Sequence, residues 1–249
     1  MTEAMPSHPE PPAERSAATD PSGPNPARRA QFLATEHWSL LATRSMSWNE
    51  SFARTGMFLT SLSTATVSLA LVGSATDFGS EFVVFALVVL SITLFLGVAT
   101  FVRLSQVNNE DLYWVAGMNR LRGQYAKLEP GIEDEFVAGI SLDTEGFAQT
   151  YGAMNVTGFS VLHVFVTTPG VIAVVCSAIA AVLAALVALQ VTPAMASAIP
   201  VGLVVGVVSV ALFIIYARRD AAGYMARMIR FQDSRDATAE RRRVEGDRG

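Results

Sequence analysis

Two apolar runs separated by a short acidic turn dominate the first half of the chain. Gly56 to Ala75 and Phe82 to Val102 contain no Asp, Glu, Lys or Arg, and the turn between them holds Asp77, Gly79 and Glu81. About 20 residues at ~1.5 Å rise per residue cover the ~30 Å hydrocarbon core of a bilayer, so the pattern predicts a transmembrane helical hairpin between Arg54 and Arg103. A second pair of runs follows after position 166, with spans expected over 168–189 and 199–217. Their connection, Gln190 to Ala198 with Pro193, carries no charge. The expected fold class is all-α, a four-span helical integral membrane protein made of two transmembrane hairpins with long cytoplasmic helix extensions.

The extensions are read from spacing. Ala34, Trp38, Leu41, Ser45, Trp48 and Phe52 recur at steps of four and three, with Glu36, Arg44, Glu50 and Arg54 off that row. This heptad-like stripe predicts a helix that continues into the first span. After the second span Leu104, Val107, Asp111, Trp114, Met118, Leu121, Tyr125 and Leu128 repeat the alternation, up to the Glu129-Pro130-Gly131 break. The two rows are expected to face each other as one antiparallel pair over residues 30–128. Residues 1–29 hold seven of the eleven prolines and few large apolar side chains, which predicts a disordered head.

Residues 129–165 are expected to form an acidic connector and an interfacial helix. The connector carries Glu129, Glu133, Asp134, Glu135, Asp143 and Glu145, with short helices after Pro130 and after the cap Asp143-Thr144, and His163 lies in the interfacial stretch. The second hairpin covers 166–217. A basic helical tail, 218–249, ends in Glu240-Arg-Arg-Arg-Val, suited to contact with anionic lipid.

Composition supports the membrane class: 51% of residues are hydrophobic and the mean hydropathy is +0.38. The formal charge of −4 matters less than its segregation. All 18 Lys and Arg residues fall in the N-terminal arm, the middle segment or the tail, and the turns at 74–81 and 190–198 contain none. By the positive-inside rule the protein is expected in the cell (plasma) membrane, with both termini and the middle segment cytoplasmic and Arg54, Arg103, Arg218 and Arg219 at the inner headgroup level.

Candidate chemistry is sparse. The single cysteine, Cys176, lies within an apolar run and reads as a small packing residue. No GxGxxG, Walker A, HExxH, GxSxG or CxxC pattern occurs, so no enzyme activity, metal or cofactor is expected. The six connector carboxylates match no cation-loop spacing and read as a solvated acidic surface. Thr60, Thr64 and Ser68 share one face of the first span, which serves either as a helix-packing surface or as the lining of a pore. Gly202 and Gly206 form a GxxxG motif suited to close helix pairing, within the second hairpin or between subunits; Ala173, Ser177, Ala181 and Ala185 offer a matching small-residue row. Asp111 interrupts an apolar row at the height of Arg44 on the facing leg. It forms either an Asp111–Arg44 ion pair that locks the register or a solvated carboxylate beside Glu110.

The stretches LLATRSMSWNESFARTGMFLT and VRLSQVNNEDLYWVAGMNRLR, within Trp38 to Leu128, resemble uncharacterised actinobacterial multi-pass membrane proteins. In architecture the same region is similar to SLATT-type two-span bacterial membrane effector domains associated with nucleotide-signalled defence. That second resemblance implies a pore-forming role; the added hairpin at 166–217 departs from it, and no functional residue carries over. Two functions are therefore expected as alternatives. One is an oligomeric scaffold or interaction protein, a homo-oligomer in the lipid bilayer with no nucleic-acid partner. The other is an ion channel or pore-forming effector lined by the first span.

Overall fold

Asn25 and Pro26 set the start of the first helix. The Asn25 side chain accepts from the backbone N–H of Ala27 at 3.0 Å and of Arg28 at 3.2 Å, and Pro26 occupies the first turn, where its missing N–H costs no helical bond. The computed structural model describes residues 25–142, 145–146, 149–150, 167–192 and 194–246, with side chains followed as far as Gly223. Helix α1 runs over Pro26–Ala75 and α2 over Ser80–Leu128. A 3-10 turn at Ile132–Glu135 follows Gly131, whose φ of 96° is a backbone conformation that glycine adopts without strain. Helix α3 covers Thr168–Val191 and α4 covers Met195–Gly246. Among the described residues all regular structure is helical.

Among the described residues four helices are long and apolar enough to cross a membrane: α1, α2, α3 and the Met195–Gly223 part of α4. At ~1.5 Å per residue α1 and α2 each measure about 75 Å, more than twice the ~30 Å of a hydrocarbon core. The helical start at Pro26 lies four residues before the predicted one. The remainder of the predicted head, the Asp143-Thr144 cap, and the interfacial stretch with His163 lie outside the described residues.

Helices α1 and α2 lie side by side and antiparallel, joined by Thr76–Gly79. In that turn Asp77 and Phe78 take positive φ (48° and 53°), and the Phe78 N–H bonds to the Gly73 carbonyl at 3.0 Å. Gly73 is required there, since a Cβ would overlap the Phe78 ring. Helix α2 also packs on α3 and α4, so it is the central element. The buried cluster joins Phe58 of α1, Leu90, Phe101 and Leu104 of α2, and Ile172, Ala173, Cys176 and Ile179 of α3. Gly97 permits the close approach: a Cβ at that position would lie 2.7 Å from the Phe58 ring and against the Cys176 sulfur.

The structure departs from the sequence expectation in which face of α1 meets α2. The α2 row is inward, with Leu104, Val107, Asp111, Met118 and Leu121 all buried. Most of the α1 row is outward, with Trp38 71% exposed and Phe52 62%; of its members Trp48 reaches α2. The side facing α2 is instead marked by His37, Leu40, Arg44, Ser51 and Phe58. The physical reason is the polar matching described next, which rotates α1 so that Arg44 and Glu50 reach α2.

Candidate functional site: a polar belt between the long helices

Below the apolar part of the α1–α2 pair the interface turns polar. Arg44 Nε donates to Asp111 Oδ1 at 2.5 Å and its Nη2 to Oδ2 at 3.1 Å, a bidentate pair whose planar fork fits the carboxylate. The Trp48 indole N–H also donates to Oδ1, at 3.2 Å. The Asp111 side chain is 6% exposed and that of Arg44 30%, so the carboxylate is the more deeply buried partner. The structure thus brings together the two residues singled out by register, and gives Asp111 a third ligand, Trp48, that the sequence reading did not assign.

About two turns nearer the apolar region a second cluster spans the same helices. Arg103 grips Glu50 with two bonds, Nε to Oε1 at 3.0 Å and Nη2 to Oε2 at 2.8 Å, and its Nη1 reaches Glu110 at 2.9 Å. Arg54 donates to Glu50 from the same helix at 2.8 Å. The hydrogen bonds from Arg103 and then Arg54 hold the Glu50 carboxyl down to about 2, while Glu50 and Glu110 raise the Arg103 guanidinium above its usual value. Helix α4 joins this level through Asn109, which donates to Asp220 at 2.6 Å.

Farther along α2, Asn119 is fully buried and fully used. Its amide nitrogen donates to the Ser141 and Gly146 carbonyls at 3.2 and 3.3 Å, and its oxygen accepts from Arg122 at 2.8 Å and Thr150 at 3.0 Å. The amide thereby pins the connector to α2. His37 stacks on Tyr125 with ring centroids 6.2 Å apart. Partial burial, then the nearby Arg122 charge, lowers the His37 value; burial raises Tyr125. Neither Asn119 nor Asp220 was found from sequence. Asn119 lies beside Met118 of the predicted inward row and next to Arg120, so the pattern gave no signal that set it apart.

The small-residue faces fall in different places. Gly202 is buried, and a Cβ there would lie 2.8 Å from the Ala181 carbonyl and 3.2 Å from the Ala185 methyl. Gly206 likewise faces the Ala181 methyl. The GxxxG motif therefore pairs α4 with α3 inside one chain. Thr60 and Thr64 are exposed on α1, away from the core, and Ser68 is half-buried. The Thr60 hydroxyl donates to the Gly56 carbonyl at 2.9 Å and Thr64 to the Thr60 carbonyl at 3.0 Å. Such back-bonding satisfies a hydroxyl in lipid without a partner helix or water. Comparison with protein families, with curated proteins and with solved structures gave no match.

Proposed function

We propose that the chain is a multi-pass protein of the cell membrane that acts as an oligomeric scaffold or interaction protein, with two transmembrane hairpins and both termini cytoplasmic. The observation that carries this reading is the contrast between the two ends of the α1–α2 pair. One end is a tight turn without basic residues. The other continues for more than 20 residues beyond the apolar part and is held by paired ion bridges, Arg44–Asp111 and Glu50–Arg103. Two long helices braced in this way form a rigid rod, and the rod presents an exposed apolar side to a partner. Exposed Arg218 and Arg219, at the level of Asn109 and Asp220, favour contact with anionic lipid on the cytoplasmic side. Single-molecule photobleaching of a fluorescent fusion in native membranes tests the oligomer: two or more steps per spot are expected, and uniform single steps would overturn it.

A second reading, a channel or pore-forming effector, is favoured by one observation. Thr60 and Thr64 lie on the outer side of α1, so a ring of copies would bring them to a common axis. Planar-bilayer recording decides it. Single-channel steps altered by Thr64→Leu support the pore, and electrical silence across voltages counts against it.

A further inference from the structure

Helix α1 is amphipathic in the opposite sense to a helix end standing in water. Between Ala30 and Thr55 its charged residues Glu36, Arg44, Glu50 and Arg54 share one side; Arg44 and Glu50 pair with α2, while Glu36 and Arg54 are exposed. The opposite side carries no charge and holds the Trp38, Leu41, Ser45, Trp48, Phe52 row, at 71% exposure for Trp38 and 62% for Phe52. A row that alternates steps of three and four has the 3.5-residue period of a two-stranded coiled coil. The row flanks the side of α1 that meets α2: Trp48 reaches Asp111 from its edge, while Trp38, Leu41, Ser45 and Phe52 stay exposed and open to a second helix.

We propose that the row is a homodimer seam, along which α1 packs parallel to α1 of a second copy about a two-fold axis normal to the membrane. The inference rests on the membrane and oligomer readings above. Copies in one bilayer share their direction and depth, so a surface at a given height meets only surfaces at that height. Among the described residues on the same extension, the other large exposed apolar side chains are scattered: Phe32 and Met46 on α1, Tyr113 on α2 and Val137 on the connector. Among the described side chains the row is the longest apolar surface at its own height, and two copies that meet through the same surface in parallel do so about a two-fold axis.

At roughly 200 Å² per aromatic side chain, the exposed parts of Trp38, Leu41, Trp48 and Phe52 amount to about 400 Å² per copy, or about 800 Å² for a pair. That is short of the ~1,000 Å² of a specific interface, so contact inside the membrane must supply the rest. After one extra four-residue step the row continues through Gly56, Leu59, Ser63, Thr66 and Ala70, all exposed and mostly small. Helices in lipid approach closely through such residues. The pair is thus closest within the membrane and opens toward Trp38, where larger side chains fill the widening gap.

The test uses the full chain carrying Cys176→Ala, so that a single introduced cysteine reports. Ser45→Cys lies mid-row, while Ser39→Cys and Gln106→Cys are exposed positions off it. Copper-phenanthroline oxidation of native membranes is expected to give about tenfold more disulfide-linked dimer for Ser45→Cys than for either control, and Trp38→Glu with Phe52→Glu is expected to lower that yield about tenfold. Equal yields at all three positions, or no dimer at Ser45→Cys while photobleaching still shows several copies, would overturn the seam and leave the scaffold reading standing. Single-step photobleaching would overturn both. Dimer that appears only after removal of residues 1–24 would mean that the chain's own N-terminal segment covers the row, which also overturns the seam.

Discussion

At the scale of single residues, the Arg44–Asp111 pair is asymmetric, and the asymmetry is measurable. Asp111 is the buried member, so removing Arg44 takes the guanidinium away from a carboxylate that is only 6% exposed, whereas removing the Asp111 charge leaves an Arg44 that still reaches solvent. Arg44→Ala is expected to lower stability by about 2–3 kcal/mol and Asp111→Asn by about 1–2 kcal/mol, read as thermal unfolding in detergent. Equal losses, or none, would remove the lock. Glu50 gives a pH signature. Its value is depressed from 4.5 to about 2, so the stabilisation from its bridge is fully present above pH 4.5 and is lost as the pH falls through about 2. Unfolding midpoints should be unaffected by this group between pH 5 and 8 and should fall between pH 4.5 and 2, with Glu50→Gln removing that part of the slope. The pairing of Arg44 with Asp111 was legible because charge counts from Arg54 and Arg103 fix the register of two antiparallel helices. Asn109–Asp220 was not, because it links α2 to α4, and their relative height depends on the whole of the 129–167 connector and on α3 between them.

At the scale of elements, close approach is the theme, and two glycine sites state it differently. At the α3–α4 contact the Ala181 methyl sits where a Gly206 side chain would extend. Gly206→Leu should force the helices apart and cost about 1–3 kcal/mol, while Ala181→Gly in the same chain should recover part of it; loss without recovery would place the strain elsewhere. At the three-helix crossing, Gly97 leaves no room for a Cβ between Phe58 and Cys176, which gives the lone cysteine its task of filling space. The motif at Gly202 and Gly206 was visible as a spacing, and the structure supplies the partner that spacing cannot: Ala181 and Ala185 of the neighbouring helix. The α1 row was visible too, yet of its members Trp48 meets α2 while Trp38 and Phe52 stay exposed. Hydrophobic periodicity reports that a face is covered without naming the cover. On α1 two apolar or polar sides compete, and the bidentate Arg44–Asp111 and Arg103–Glu50 pairs decide which one α2 receives.

At the scale of the molecule, the distribution of charge and the lengths of the helices make a joint demand. Helices of about 75 Å cannot be enclosed by a ~30 Å core, so one end of α1 and α2 must stand outside it. The end with the Thr76–Gly79 turn has only a few polar residues, and the Gln190 connection between α3 and α4 has no charge. The opposite end holds Arg54, Arg103, Arg120, Arg122, Lys127, Arg218 and Arg219. On the insertion proposed above, the positive-inside rule would give all four helices their orientation at once. In a Cys176→Ala background, Ser80→Cys and Gln190→Cys, both exposed, should react with a membrane-impermeant maleimide added to intact cells, while Gln106→Cys and Arg120→Cys should react only after the membrane is opened. A Gln190→Cys that labelled only after opening, beside a Ser80→Cys that labelled from outside, would mean that α3 and α4 do not both cross. Helices α3 and α4 would then form a pair lying on one side of the bilayer. Their packing against α2 through Ile172 and Cys176, at the level of Gly97 and five residues inside the Val102 end of the apolar run, argues for entry into the same lipid layer: a pair held beside α2 at that depth shares the lipid that α2 itself needs.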